Sequence, residues 1–356
     1  MLDRPANDGL LRAGAGRVPI TPPAGFEVCN PEFDPKTSSG IDDDLLARVM
    51  VMEAEGRRVA VCVLDVWGVD AALQKRIRQS VAEAAGTHAP LVWVTCSGNA
   101  TSPPTWTGSP ATERYKNYLA YLPELCSGAA VQARESMGPA AIGSNAAQLT
   151  DVTTGVAGRG AEADTAVTIA SVMTATGDGV GQLFSFSCPA MVRGDHGRWT
   201  GDFPAYASWA LEQAGGGTVA FARGSDADVR PYNWYRGNTS RTHLERAAPD
   251  VQAIGLLLAT QASFAARNIE YRRNISCETS ADDERGVRVL RAGDLVCVGV
   301  DRPQPAVFAR HLRKALPRSR VIVSTNVAGM NPEQGEELDV ALQLDTLEIV
   351  RAAGAK

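Results

Sequence analysis

Two loops of this sequence concentrate side chains that can hold and stabilise an anion. The first, "VRGDHGRWTGD", offers Arg193, Asp195, His196, Arg198, Trp199 and Asp202. The second, "ARGSDADVRPYNWYRGN", offers Arg223, Asp226, Asp228, Arg230, Tyr232, Asn233 and Trp234. Guanidinium groups bind phosphate, sulfate or carboxylate in a planar, bidentate manner, so Arg193, Arg198, Arg223 and Arg230 are candidate ligands for a small anionic substrate. Trp199, Tyr232 and Trp234 lie between them as a pocket lining would, and Asn99 in the loop "VTCSGNATSPPTW" completes the binding set. The alternative for each arginine is an ion pair with a neighbouring aspartate, which is worth little at a surface.

Proton transfer in such a pocket needs a carboxylate or an imidazole. Asp65 and Asp202 are the candidate acceptors, although Asp65 could equally cap the next helix. His196 is a candidate proton carrier with a near-neutral pKa, or a solvated residue of a glycine-flanked loop. Cys96 and Cys188 are candidate nucleophiles if His196 or an arginine stabilises their thiolates. Buried inert thiols are the commoner state.

These residues fall where strands end. "RVAVCVLDVWGV" (58–69) reads as a buried strand, "AALQKRIRQSVAEAAG" (71–86) as a helix with Leu73, Ile77 and Val81 on one face, and "LVWVTCSG" (91–98) as the next strand. The pattern recurs as strand 181–190, helix 202–215 and strand 218–229, and again as strand 294–303, helix 306–317 and strand 320–329. Such alternation predicts an α/β fold with a mixed, mostly parallel sheet and flanking helices, whose sites form outside the carboxyl ends of the strands. A single domain over 1–356 is expected. The Ala/Gly/Thr-rich stretch 145–165 leaves open two lobes, about 1–150 and 151–356.

Composition narrows the function classes. The chain has 356 residues, 44% hydrophobic, and a net charge of −5, enough to bury a full core. No apolar run approaches the ~20 residues of a membrane span, and the N-terminus lacks a secretion pattern, which predicts a cytoplasmic protein with no membrane partner. The seven cysteines are scattered without Cys-x-x-Cys spacing, which argues against a disulfide framework or a zinc ribbon. No basic block is present, and nucleic acid is not an expected partner.

The segments "AGAGRVPITPPAG" (13–25), "DDDLLARVMVMEAEGRRVAVCVLDVWGV" (42–69) and "GDFPAYASWALEQAGGGTVAFARGSDADVRP" (201–231) resemble the neutral/alkaline (non-lysosomal) ceramidase family and its smaller bacterial relatives. The resemblance is ordered, covers most of the chain and implies an α/β fold. It also implies a zinc ion that activates water for amide hydrolysis, held by three protein ligands with one position open. Here the sequence departs from the family. Gly98 and Ala100 stand at the histidines of the first ligand loop, and Pro189 stands at that of the second. "GVDRPQP" (299–305) lacks the family glutamate, Met330 lies near the place of its tyrosine, and Arg230 occupies the nucleophile position of the Gly-Asp-Val-x-Pro loop. The four histidines, His88, His196, His243 and His311, offer no ligand spacing.

The expectation is therefore a divergent bacterial member of the family without the zinc ligands, needing neither metal nor cofactor. Its activity would be elimination, cyclisation or group transfer on a small anionic or sulfate/phosphate-activated substrate, as in specialised (natural-product) metabolism. The alternatives are a non-catalytic ceramidase-like subunit that binds a partner protein and a cysteine-dependent amidase or acyltransferase; a second protein subunit that completes the pocket is a candidate partner.

Overall fold

The computed structural model describes residues 10–29, 36–105, 113–155, 163–193, 197–231, 248–326 and 339–354. In chain order the strands are β1 (Arg12–Pro19), β2 (Glu27–Val28), β3 (Lys36–Thr37), β4 (Leu46–Ala54), β5 (Arg57–Leu64), β6 (Val92–Cys96), β7 (Gly138–Gln148) and β8 (Thr153–Gly155). They continue as β9 (Ala166–Thr174), β10 (Gly179–Phe186), β11 (Thr218–Arg223), β12 (Val229–Pro231), β13 (Cys277–Asp282), β14 (Val287–Ala292), β15 (Leu295–Val300) and β16 (Arg320–Thr325). The helices are α1 (Ala71–Ala85), α2 (Glu113–Glu135), α3 (Asp202–Gln213), α4 (Ala248–Ala266), α5 (Ala306–Ala315) and α6 (Val340–Ala352).

All three strand–helix–strand units read from the sequence are present, and each closes a parallel pair: β5 with β6 around α1, β10 with β11 around α3, and β15 with β16 around α5. The first is bounded by ordinary capping chemistry. Asp70 Oδ1 accepts from Leu73 N at 2.7 Å, and Gly86 ends α1 with φ 70°.

The mixed α/β class with flanking helices is the class the chain has. The eight-stranded sheet runs β11-β10-β9-β7-β1-β4-β5-β6 and draws strands from both sides of residue 150. Its parallel pairs are those of the two units at its edges; the other five pairings are antiparallel, so parallel pairing has a smaller share than expected. One cause is the β4–β5 connection, where Glu55 (φ 49°) and Gly56 (φ 74°) form a two-residue hairpin turn.

Four layers follow from the faces that must be buried. α1 and α2 cover one half of the outer face of the large sheet, and α3 and α4 cover the other half. The inner face packs on the four-stranded sheet β13-β14-β15-β16 through Met52, Val61, Trp93, Leu183, Leu290 and Ile322. α5 and α6 close the far side of the small sheet. Gly14 and Gly16 of β1 permit the close approach of α2, since a Cβ at Gly14 would lie 2.1 Å from the carbonyl oxygen of Ala133. Among the described residues no helix is long and apolar enough to cross a membrane.

The arrangement brings carboxyl ends together. The edge strands β6 and β11 touch, Ala100 N donates to Ala190 O at 2.9 Å, and Thr325 Oγ1 at the end of β16 donates to Gly224 O at 3.0 Å. All three units therefore end at one place.

Candidate active site

At that convergence Arg223 is the central side chain. It ends β11, where the chain turns into the Gly224–Asp228 loop. Its stem fills the space that a side chain at position 98 would take: a Cβ on Gly98 would lie 2.3 Å from Arg223 Cδ. Its guanidinium stacks over Trp67, 4.2 Å from the ring centroid. Nε donates to both carboxylate oxygens of Asp226 at 2.8 and 2.9 Å, and Nη2 pairs with Oδ1 at 2.7 Å. Both partners are buried. Nη1 is buried with no hydrogen-bond partner.

Three further buried polar atoms, each following one of the converging strands, share that condition: Trp67 Nε1 after β5, Ser97 Oγ after β6 and Ser225 Oγ after β11. A buried unsatisfied group costs about 1–3 kcal/mol, so each of these atoms is a candidate for hydrogen bonding to a ligand. Trp67 packs with Cys29, Ala100 and Met191 in a small apolar cluster, and is the aromatic wall of this site.

Asp202 opens α3 with a backbone φ of 55°, a left-handed conformation that a residue other than glycine holds only when its surroundings impose it. Here they do. Asp202 N donates to Thr200 Oγ1 at 3.1 Å, Thr200 Oγ1 donates to Asp43 at 2.9 Å, and the Thr200 carbonyl accepts from Asn99 Nδ2 (2.7 Å) and Thr101 Oγ1 (2.8 Å). The Asp202 carboxylate is fully buried and accepts from Arg193 N at 2.8 Å and Phe203 N at 2.7 Å. Burial outweighs those hydrogen bonds and pushes its pKa up to about 6.

The other residues singled out from the sequence are placed as follows. Asp65 accepts from buried Arg48 at 2.6 Å and from Leu46 N at 3.0 Å, and the cap of α1 is Asp70 instead. Arg230 is buried and donates to the carbonyls of Val229 (2.7 Å) and Ala227 (3.3 Å). Asp228 accepts from Ala306 N at 2.7 Å, at the start of α5. Arg193 and Arg198 lie apart from Arg223 in their pairing: both bond Asp42, at 2.8 and 2.5 Å, and Arg198 is 38% exposed. The Trp199 ring packs against Phe26, Val28 and Tyr115, in a different cluster from Trp67. The expected four-arginine pocket thus divides into buried Arg223 and Arg230 and an Asp42-held pair, because a partner distant in sequence competes for two of the guanidiniums. His196, Tyr232 and Trp234 lie outside the described residues.

Cys96 and Cys188 are both fully buried, and burial raises each thiol above its usual range. For Cys188 the charges of Asp226 and Asp202 add to the rise, while those of Arg230 and Arg223 oppose it. A nucleophile needs the reverse, a stabilised thiolate. All seven cysteines are free and buried. A colorimetric thiol reagent should therefore find no fast-reacting group in the native protein and all seven after unfolding; one rapidly labelled native thiol would contradict this.

Sequence reasoning missed Arg48, Trp67 and Asp43. Arg48 carried a readable signal, an arginine in the otherwise apolar strand "LARVMVMEA". Trp67 sat inside a strand end already marked as site-forming, but nothing local says that a guanidinium lies over it.

No family model and no curated sequence matches the chain. Solved structures do. Neutral ceramidase from Pseudomonas aeruginosa superposes with a TM-score of 0.76 at 14% identity, covering 97% of this chain and 74% of that one. A structure described as ceramidase complexed with C2 gives 0.70 at 13% identity, over 97% and 75%. The chain has a ceramidase-like fold. At these identities the likeness fixes the architecture and leaves the chemistry to the residues. The zinc that the sequence resemblance implies does not fit them: the side chain filling the space at Gly98 is a paired arginine, and among the described residues no three His, Cys, Asp or Glu groups gather as a metal site.

Proposed function

We propose that this chain is a metal-independent enzyme of specialised metabolism, a divergent bacterial relative of the ceramidases, that binds the sulfate or phosphate group of an activated small substrate at Arg223. The observation that carries the reading is the buried, unpartnered Nη1 of Arg223, with the donors of Trp67, Ser97 and Ser225 on the adjoining strand ends. Preorganised donors of this kind stabilise charge that develops on a leaving group. An amine or hydroxyl of the substrate attacks the carbon bearing the sulfate or phosphate ester, Asp202 takes its proton, and the oxyanion departs as the ring closes. Water takes no part in that step. A carboxylate with a pKa raised to about 6 is a better base than an ordinary aspartate and is still ionised at neutral pH. Seven free thiols suit a reducing compartment, which favours the cytoplasm.

The test is calorimetric titration with sulfate and phosphate. Arg223→Met should weaken binding by about 1.5–3 kcal/mol, the worth of a charge-assisted contact. An Arg223→Met protein that melts cooperatively and binds both anions as well as the parent would remove the basis of the proposal.

A partner-binding, non-catalytic role is the second reading. Its support is the exposed apolar surface of the packed pair α3 and α4, where Trp209 (57%), Leu257 (49%) and Phe264 (62%) face outward.

A further inference from the structure

We propose that the outer face of α3 and α4 is covered by a second copy of this chain, in a two-fold dimer whose α4 helices pack antiparallel. The inference rests on neither reading of the Arg223 site. Helix α4 carries two apolar stripes where a surface helix needs one. Val251, Ile254, Leu258, Ala262 and Ala265 are buried in the cluster that joins α4 to α3 and the large sheet. On the other side Ala253, Leu256 (49%), Leu257 (49%), Thr260 and Phe264 (62%) are exposed, spaced i, i+3, i+4, i+7 and i+11. No charged residue occurs from Val251 to Ala266, and the Thr260 hydroxyl donates to Leu256 O at 2.7 Å inside the helix. Gly255 lets α3 come close, since a Cβ there would lie 2.6 Å from Tyr206 Cβ, and exposed Trp209 follows one turn later on α3. Two copies that each carry a net charge of −5 repel at long range, and an uncharged face is where they can meet.

The order of residues along the stripe makes this face complementary to itself. A two-fold axis crossing α4 between Leu258 and Ala259 sets Phe264 against Ala253 of the other copy and Leu257 against Thr260, large against small at each place. The same register sets Asp250 opposite Arg267, so the ends of the paired stripes carry opposite charges in the sequence. With helices of 12 and 19 residues the face measures roughly 450 Å2 in plan, at ~1.5 Å rise per residue and ~10 Å width per helix. That lies toward the low end of what a specific dimer buries, and suits a reversible dimer of micromolar Kd.

The experiment is sedimentation velocity on the full chain, from about 1 to about 200 μM. The parent should pass from monomer to dimer across that range. Phe264→Asp and Leu257→Asp should each raise the Kd at least about tenfold. Tyr121→Asp, at an exposed aromatic of α2 (66%), should leave it unchanged. Ala253→Phe and Phe264→Ala should each weaken the dimer, and the double variant, which again sets one large side chain against one small one, should recover it. All these positions are exposed, and thermal melts establish that each variant is folded. A chain that stays monomeric throughout, as expected if an unlike protein covers the face, would overturn the proposal. So would a dimer indifferent to Phe264→Asp, or a double variant no tighter than either single one.

Discussion

Replacing Asp226 by alanine is expected to lower the unfolding free energy by about 3–5 kcal/mol, the usual cost of leaving one member of a buried ion pair behind. The pair is desolvated on both sides, with 5% and 1% side-chain exposure for Arg223 and Asp226. Its geometry is fork to fork, so no neighbouring carbonyl substitutes for both oxygens at once. Stacking on Trp67 holds the guanidinium in place and gives it no second anion. The double variant Arg223→Met/Asp226→Ala removes the stranded charge, and should recover a large part of the loss. Urea denaturation of the four proteins closes the cycle. A double variant less stable than the sum of the singles would mean that the ion pair is not the origin of the cost.

The second large effect is at Asp202. Its folded pKa, raised to about 6, exceeds the unfolded value, so the folded state binds the proton more tightly. The stability contributed by the protonated carboxyl is complete below about pH 4 and is lost as pH rises through about 6, a change of about 3 kcal/mol for a shift of roughly two units. Asp202→Asn mimics the protonated form and tolerates the left-handed backbone. It should be level with the parent near pH 4 and about 3 kcal/mol more stable above pH 7, while losing the activity in which Asp202 accepts a proton. Thermal melts across pH decide it, and a parent whose stability rises between pH 4 and 7 more than the variant's would refute the assignment. A gain in stability with a loss of function is the signature of a strained residue kept for chemistry.

The parts of the fold that could be read from the sequence were the three strand–helix–strand units, because each combines a β-branched run, a helical face and a stop. "RVAVCVLDVWGV" followed by Leu73, Ile77, Val81 and Gly86 leaves little choice. The antiparallel middle of the sheet was not legible. β1 reads "RAGAGRVP" and β7 "GPAAIGSNAAQ", and their glycines and alanines serve close packing instead of advertising strand propensity. The stretch that suggested a lobe boundary contains the end of β7 and all of β8. At the site, residue types were informative and partners were not. Arg193 and Arg198 have Asp202 as a near neighbour in the chain, and both bond Asp42, about 150 residues earlier. Trp199, picked as a wall, packs with Phe26 and Tyr115, while Trp67 is the ring that lies against the Arg223 guanidinium. Such pairings are set by how two sheet edges meet, which no local pattern encodes.

The most direct measurement of the account is a selenate soak of crystals of the protein, since selenate is a tetrahedral oxyanion with its own anomalous signal. The account predicts an anomalous peak with an oxygen within hydrogen-bond distance of Arg223 Nη1, contacted also by Ser97, Ser225 or Trp67, and absent in Arg223→Met. Peaks confined to exposed arginines such as Arg198, with Nη1 of Arg223 turned onto another protein group, would contradict it.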